Sequence, residues 1–251
     1  MKRLVSLFDV HIPDQIDLSG VMEFIKDFKP HILILGGDFM DFDYLSSWSQ
    51  HRVEYFLEDK PREQYDNDIK MANGVLDKLD KYRIQSGAEL HYLEGNHEER
   101  LRRLYDKFPD KSRTIYEAYD YKSHLHLKER GYSWHSYNQV VKKGRLYFTH
   151  GVYHNKYHTA KHGSIYNRNL RYGHLHGYQA WSMISPIDHH EKIVKAIPCL
   201  CHKNPHYMKD RPNAWQNGFH YAVMENGKFF ESVPHIIHGQ FRAEGKTYKA
   251  R

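Results

Sequence analysis

Short apolar segments alternate with amphipathic segments in the amino-terminal part of the chain. Three apolar segments are too short for buried helices and are therefore predicted to be strands: 4–8, 31–35 and 90–93. Between them, residues 17–28 and 62–82 repeat apolar side chains at helical spacing, and Pro30 ends the first of these helices. This strand–helix–strand order predicts parallel strands joined by right-handed crossovers, and therefore an α/β fold.

The rest of the chain is predicted to be richer in strands. The predicted strands are 132–136, 139–142, 145–149, 170–172, 193–198, 219–224 and 228–233. The Glu-Asn-Gly-Lys sequence at 225–228 is typical of a turn, so the last two strands should form a hairpin. Further helices are predicted at 97 to about 107, within 109–131, within 152–169 and in part of 44–60. No repeat or linker interrupts this pattern, which predicts one domain over residues 1–251.

Five polar clusters directly follow predicted strands. They are Asp9-Val10-His11, Gly37-Asp38, Gly95-Asn96-His97, Thr149-His150 and Gly173-His174-Leu175-His176. Because strands of one sandwich carry their carboxyl ends to a common edge, these side chains are expected to converge. Residues two apart in an extended chain point the same way, so each Asp-x-His or His-x-His pair should place two ligands on one ion. Mixed Asp, His and Asn donors favour Mn, Fe, Zn, Co or Ni.

Each cluster taken alone has a structural explanation. Asn96 could cap the helix that begins near Glu98, and a lone His-x-His pair is more often found at a surface than in a metal site. Chance does not readily place all five clusters in this order, each after a strand. The set as a whole therefore favours a metal site.

Composition sets limits on the class of protein. A chain of 251 residues with 40% hydrophobic content can bury a core. Its two cysteines, Cys199 and Cys201, are too close together for a disulfide framework, and no second pair is present for a zinc knuckle. The apolar segment before Asp9 is too short for a signal peptide, and no segment is long enough to span a membrane. A cytoplasmic protein that does not associate with membranes is predicted, and its oligomeric state is not indicated.

The net charge of +6 is concentrated near the end of the chain. Residues 1–191 carry 27 Lys and Arg against 27 Asp and Glu, whereas residues 192–251 carry 10 against 4. A basic final quarter favours an anionic partner such as DNA, RNA or a nucleotide. A solubilising positive surface is the alternative.

The order Asp-x-His, Gly-Asp, Gly-Asn-His-Glu, His and Gly-His-x-His strongly resembles the calcineurin-like metallophosphoesterase superfamily. The resemblance covers about residues 5–177, and the layout looks most like small stand-alone phosphoesterases, including bacteriophage ones. It implies an αββα sandwich of two mixed sheets flanked by helices. It also implies a dinuclear metal site at the edge where the strands end.

The resemblance assigns roles residue by residue. The implied ligands of the first cation are Asp9, His11, Asp38 and His176. Those of the second cation are Asp38, Asn96, His150 and His174, so that Asp38 bridges both. His97 would protonate the leaving oxygen or stabilise the transition state, and Glu98 would support the ligands or occupy the first helical turn. The two divalent ions, with Mn²⁺ as first choice, would share a hydroxide for in-line attack on phosphorus.

One departure from the family pattern concerns the substrate. Protein phosphatases of this superfamily have Asp-Arg-Gly at the second motif, whereas Phe39 and Met40 follow Asp38 here. The missing arginine favours a phosphodiesterase acting on nucleotides or nucleic acid. A phosphomonoesterase and a non-catalytic metal-bound scaffold remain the alternatives. Asp41 is expected to orient a ligand or cap a helix.

Several residues outside the five polar clusters also have predicted roles. Three histidines at helical spacing could line one helix face beside His150, the first as a candidate substrate contact: His154, His158 and His162. Arg100 and Arg103 are expected at the surface. Three aromatic residues are expected in the core, with stacking on nucleic-acid bases as the alternative: Trp215, Phe219 and Tyr221.

Overall fold

Helices of very different lengths flank the sheets of this protein. The computed structural model describes residues 1–45, 59–107, 112–187, 189–205 and 208–251. The helices are α1 Ser19–Phe28, α2 Asp59–Ser86, α3 Glu99–Lys107, α4 Ser112–Tyr119, α5 Tyr121–His124 and α6 His158–Tyr166, with a 3₁₀ turn at Asp43–Leu45. No helix in these described ranges is long and apolar enough to cross a membrane. Most of the partly helical prediction for 44–60 lies outside the described residues.

Two mixed sheets and a hairpin account for the strands. The strands are β1 Lys2–Leu7, β2 Ile32–Leu35, β3 Glu89–Leu93, β4 Ser133–His135, β5 Val141–Lys143, β6 Leu146–Phe148, β7 Asn169–Tyr172, β8 Gln179–Ile184, β9 Glu191–Ala196, β10 His220–Glu225, β11 Lys228–Ser232, β12 Gln240–Ala243 and β13 Lys246–Lys249. The first sheet has the order β11-β10-β1-β2-β3-β4, and the second has the order β5-β6-β7-β9-β8. Strands β1 to β4 are parallel to one another, as are β6, β7 and β9.

The sheets pack face to face because the central strands are apolar on both sides. Leu4 and Ile34 face the second sheet, where they join a buried cluster with Phe148. Their neighbours Val5 and Leu33 face the opposite way and pack in the cluster formed with α1 and α2. Strands covered on both faces carry continuous apolar sequence, which is the pattern seen in 4–8 and 31–35. The αββα arrangement of two mixed sheets flanked by helices is confirmed.

Most predicted elements are present, but three strands were missed. The hairpin of β10 and β11 turns at Asn226 and Gly227, both with positive φ, as the turn sequence predicted. Strand β8 was missed because it is an exposed edge strand without alternating burial. Strands β12 and β13 were missed because only Phe241, Ala243 and Tyr248 are apolar and buried there. The prediction of a single domain stays a prediction.

A buried ion-pair network joins the two sheets away from the polar clusters. Arg171 of β7 is fully buried and makes two hydrogen bonds of 2.6 Å to Glu231 of β11. The same carboxylate contacts Lys195 at 2.7 Å and His220 at 3.0 Å. Burial alone would raise the pKa of Glu231, but His220 and Arg171 lower it well below its usual value. The carboxylate therefore stabilises the packing of one sheet on the other.

Replacing this carboxylate should destabilise the fold. Glu231→Gln leaves the Arg171 guanidinium buried without its counter-charge, which typically costs about 3–5 kcal/mol. Since the pKa of Glu231 is lowered by folding, its contribution is present above the unfolded-state pKa of about 4.3 and is lost as the pH falls. Urea unfolding of wild type and variant should differ strongly at pH 7, and the difference should shrink progressively as the pH falls below about 4.3. Glu225→Gln, on the exposed end of the same hairpin, serves as control; equal stability of the two variants would contradict this role.

Candidate metal centre

The loops after the strands turn sharply at the predicted ligands. Five of these residues have left-handed backbone conformations, with φ between 48° and 72°: Asp9, His11, Asp38, His174 and His176. Asp and His tolerate this region better than most residues, although it is still unfavourable for them. The expectation that His174 and His176 point the same way from extended chain is therefore wrong. The turn between them sends the two imidazoles to different groups of ligand atoms.

The first group contains four buried side chains from three loops, those that follow β1, β2 and β7. One ligand atom from each of Asp9, His11, Asp38 and His176 lies within 4.8 Å of all the others. Nε2 of His11 is 3.1 Å from Nε2 of His176 and 3.7 Å from Oδ2 of Asp38. Nε2 of His176 is 3.8 Å from Oδ1 of Asp9. These are the four residues predicted to hold the first cation.

The second group shares Asp38 with the first. Asp38, His150 and His174 offer ligand atoms within 4.8 Å of one another. Oδ1 of Asn96 completes the group, at 2.9 Å from Nε2 of His150 and 2.7 Å from Nδ1 of His174. Asn96 therefore does not act as a helix cap, and α3 begins only at Glu99.

The donor atoms fit divalent cations. Carboxylate oxygens, an amide oxygen and imidazole nitrogens face one another in a buried space, a set that suits Mn, Fe, Zn, Co or Ni. Burial is the largest influence on the Asp9 carboxyl and raises its pKa to about 7, although His150 opposes this shift. The group is thus short of positive charge, which a bound cation would supply. Two glycines let the loops approach closely, since a Cβ on Gly95 or Gly173 would meet the oxygens of Asp38 or Asp9 at 2.1 and 2.3 Å.

Asp41 orients two imidazoles at the rim of the first group. Its Oδ1 lies 2.8 Å from Nδ1 of His11 and 3.2 Å from Nδ1 of His97. Burial would raise the pKa of Asp41, but hydrogen bonds from both histidines lower it well below its usual value. The carboxylate is therefore an acceptor that holds each ring with its Nε2 atom directed toward Asp38.

A model of the calcineurin-like phosphoesterases matches residues 9–236, which span all five polar clusters. The chain belongs to this family. No curated protein matches it. Among solved structures, Vps29 from Chaetomium thermophilum is similar over 100% of both chains, with 10% identity and a TM-score of 0.50. Zinc-bound Vps29 from Entamoeba histolytica matches over 99% of both chains, with 8% identity and a TM-score of 0.49.

A predicted phosphoesterase from Streptococcus pneumoniae is also similar, with 12% identity and a TM-score of 0.35. This match covers 96% of the present chain and 86% of the other. At such low identities a likeness shows the fold alone. The fold of this family member is therefore established by the family match and by the two sheets described above.

Arg100 lies beside the candidate metal centre, so its expected surface position is wrong. Its guanidinium donates to the carbonyl oxygen of Asp41 at 3.0 Å, and Nη2 is 3.1 Å from Nε2 of His97. Only 19% of the side chain is exposed. The signal was its position three residues after His97, which places both side chains on one side of a helical turn. Arg103 is exposed as expected and pairs with Glu99.

Glu98 ties the loops after β2 and β3 together. Its fully buried carboxylate accepts four backbone hydrogen bonds and one from a phenol, at 2.8 to 3.1 Å. The donors are the amides of Asp38, Phe39, Met40 and Gly95 and the hydroxyl of Tyr92. Burial, followed by the nearby Asp38, raises its pKa to about 7. Of its two predicted roles, supporting the ligands is the one this geometry favours.

Glu98→Gln should therefore disturb both stability and the position of Asp38. Each carboxylate oxygen accepts at least two bonds, so an amide NH₂ in either place would face two donors. Two unsatisfied buried donors cost about 2–6 kcal/mol together. Thermal or urea unfolding measures the loss, and Glu99→Gln, which changes only pairs with Arg102 and Arg103, is the neighbouring control. Unchanged stability in Glu98→Gln would show that the five hydrogen bonds to this carboxylate do not stabilise the fold.

The other histidines do not form one helix face. Helix α6 begins at His158, so the exposed His154 precedes it. His158 contacts the hydroxyl of Tyr172 at 2.6 Å, and His162 stacks on the same ring at 3.9 Å between centroids. These two histidines are structural. His154 is near enough to influence the pKa of His174, which burial lowers to about 4, so it stays a candidate for contact with substrate.

Trp215 differs from its predicted place in the core. It is half-buried, and its ring lies 4.1 Å from that of His176, whereas Phe219 and Tyr221 are buried as expected. Cys201 is free and buried, and its sulfur lies 3.9 Å from Nδ1 of His176. Cys201 and Trp215, near the two ends of the segment 201–216, therefore lie against the first ligand group. Sequence periodicity gave no sign of these two contacts, because neither residue belongs to a helix or a named strand.

Proposed function

We propose that this protein is a metal-dependent phosphoester hydrolase that cleaves phosphodiester bonds in nucleotides or nucleic acid. The observation that carries the proposal is the position of Asp38, whose carboxylate belongs to two groups of side chains that could each hold a metal ion. Membership of a phosphoesterase family supports the hydrolytic chemistry. Elemental analysis of the purified protein should approach two divalent ions per chain, with Mn²⁺ as first choice and Fe, Zn, Ni or Co as alternatives.

The residues of the chain have distinct roles in this proposal. Asp9, His11, Asp38 and His176 would hold one cation, and Asp38, Asn96, His150 and His174 the other. Bound cations would supply the Lewis acidity that activates water and offsets charge on the phosphoryl oxygens. His97 would give a proton to the leaving oxygen, since Asp41 holds its Nδ1 and leaves Nε2 facing the centre. Nη2 of Arg100 lies 3.1 Å from the same Nε2 and donates to it, so this contact would have to open before Nε2 carries a proton to the leaving oxygen.

Whether the site prefers a diester or a monoester depends on how much positive charge it offers to the phosphate. A diester carries one negative charge and needs no cation beyond the metals, and the usual arginine after Asp38 is absent. Arg100, however, brings a guanidinium next to His97, and this contact favours a phosphomonoesterase as the second candidate. A non-catalytic scaffold is the third, and full metal occupancy without hydrolysis of any ester would support it. Comparison of bis-p-nitrophenyl phosphate with p-nitrophenyl phosphate decides between the first two.

A polymeric substrate is supported by the basic segment beside the centre. Its ends touch the first ligand group, because Trp215 and Cys201 both contact His176. Three exposed cations lie between these ends: Lys203, Lys209 and Arg211. In this proposal they would neutralise phosphates on either side of the scissile one. DNA or RNA is therefore the proposed partner, and a cytoplasmic location is proposed with it.

Reversing these charges should weaken nucleic-acid cleavage selectively. The variant Lys203→Glu/Lys209→Glu/Arg211→Glu should raise KM for single-stranded DNA or RNA and leave bis-p-nitrophenyl phosphate hydrolysis unchanged. Binding of wild type should fall with salt at a slope of roughly −0.7 per neutralised phosphate, and the variant should show a shallower slope. The control Lys26→Glu/Lys78→Glu/Lys81→Glu makes the same charge change on α1 and α2. If both triple variants behave alike, the segment does not bind nucleic acid.

A further inference from the structure

A cavity of about 450 Å³ lies behind the loop that carries Asn96 and His97. Its lining includes Glu98 and Glu99, which follow His97 directly in the chain. Six of its fifteen lining residues are aromatic: Tyr105, Tyr116, Tyr119, Tyr121, Trp134 and Tyr137. Volumes of roughly 300–1,000 Å³ with aromatic lining and a few polar groups are typical of small-molecule sites. None of the roles assigned so far uses this cavity.

The cavity is held open by one buried carboxylate. Glu94 accepts a hydrogen bond from the hydroxyl of Tyr121 at 2.9 Å and another from the backbone amide of Tyr137 at 3.0 Å. The indole of Trp134 donates to the same Tyr121 hydroxyl at 3.2 Å. Three aromatic walls are thus fixed before any ligand binds. A rigid aromatic surface loses little entropy on binding and favours a flat ligand.

The cavity borders the metal centre through one side chain. Tyr137 lines the cavity, and its ring centroid is 6.3 Å from that of His150 in the second ligand group. A ligand with its phosphoryl group at the metal centre would reach the cavity by passing Tyr137. The cavity and the metal centre are positioned to bind two parts of one molecule.

Charge in the cavity excludes a phosphate from its interior. Four carboxylates face two cations there: Glu94, Glu98, Glu99 and Asp120 against Arg102 and Lys122. The part of a substrate that enters must therefore be uncharged or positive. The face of Trp134 already carries the ammonium of Lys122, at 4.5 Å from the ring centroid. This contact disfavours a second cation at Trp134, so a neutral aromatic ligand on the opposite face of the indole is the better fit.

We propose that the cavity binds the base of a nucleotide whose phosphate lies at the metal centre; this inference rests on the proposed function. Tyr116 and Trp134 are 42% and 36% exposed and offer faces on which a base can stack. Oδ1 of Asp120 is buried and has no hydrogen-bond partner within the described parts of the chain. Asp120 lines the cavity, and rotation of its carboxylate would let this oxygen accept from an exocyclic amino group, which adenine, cytosine and guanine carry and thymine and uracil lack. The cavity therefore selects amino-bearing bases.

Esters with one leaving group and different bases test this proposal. The substrates are the 5′-(p-nitrophenyl phosphate) esters of cytidine and uridine and methyl p-nitrophenyl phosphate, which has no base. With Mn²⁺-loaded protein, kcat/KM should be highest for cytidine. Trp134→Ala should reduce kcat/KM for the cytidine ester about tenfold, as expected for one lost base stack, and spare the methyl ester. Trp181→Ala removes an exposed tryptophan from β8 and should change neither value.

Two further measurements separate this proposal from the proposed function. Asp120→Asn should narrow the preference for cytidine over uridine, and calorimetric titration with CMP should show weaker binding to Trp134→Ala. If all three esters are hydrolysed equally well, the base site is refuted and the phosphodiesterase stands. If no ester is hydrolysed but CMP binding depends on Trp134, the base site is supported and the phosphodiesterase is refuted. Preference for p-nitrophenyl phosphorylcholine over the nucleoside esters would identify a cation site and overturn the base proposal.

Discussion

Asp38→Asn should abolish most activity and reduce the metal content below that of the wild type. Asn keeps the size of the side chain but removes the negative charge that both ligand groups share. The expected fall in kcat/KM is well beyond the roughly 10- to 100-fold typical when an outer partner of a metal ligand is removed. Hydrolysis of bis-p-nitrophenyl phosphate with added Mn²⁺ gives the rate, and elemental analysis gives the metal content.

The change at Asp38 can be separated from a general loss of folding. The Glu98 carboxylate holds the backbone amide of residue 38, a contact that does not depend on the side chain. The unfolding midpoint of Asp38→Asn should therefore stay near the value for metal-free wild type. Asp66→Asn makes the same chemical change at an exposed position on α2 and should keep full activity. A fully active Asp38→Asn protein would rule out a shared metal ligand at this position.

His97→Asn should keep both cations and lower kcat by roughly 10²- to 10⁴-fold, the usual contribution of a positioned proton donor. The loss should be large for a dinucleotide, whose leaving oxygen needs a proton. It should be much smaller for bis-p-nitrophenyl phosphate, whose leaving group departs without one. Comparison of kcat for the two substrates, with metal content measured in parallel, tests this role.

A surface histidine provides the matched control. His126→Asn makes the same replacement at an exposed residue with positive φ, which Asn tolerates, and should leave both substrates unaffected. Loss of metal in His97→Asn would make His97 a ligand, an outcome compatible with its place beside His11 and Asp41. An equal loss with both substrates would instead point to orientation of the substrate.

The sheets and the ligand groups could both be predicted from one pattern in the sequence. Buried parallel strands need continuous apolar sequence, and polar residues such as Asp9, Asp38 and His150 stand out directly after it. The family resemblance then distributed them between two cations. Even so, the extended-chain argument gave the wrong geometry for His174 and His176, because left-handed turns leave no mark in apolar periodicity.

Contacts made by long polar side chains across the fold were the hardest to foresee. Arg100 reaches the carbonyl oxygen of Asp41, and Glu98 reaches backbone amides in the loop after β2. In both cases the partners are about sixty positions apart in the sequence. The spacing of three residues from His97 was the one local sign for Arg100, and Glu98 had no local sign of its distant contacts. The base cavity was missed for a similar reason, since its walls come from helices α3 to α5 and the segment around β4. Such sites depend on tertiary packing rather than on any period in the sequence.

The left-handed ligand residues have a consequence for engineering this protein. Each non-glycine residue held in that conformation costs on the order of 1 kcal/mol, and glycine would relieve most of the cost. A search for thermostable variants that scores folding alone would therefore enrich glycine at Asp9, His11, Asp38, His174 and His176. Selection for heat resistance and selection for turnover should diverge at these five positions.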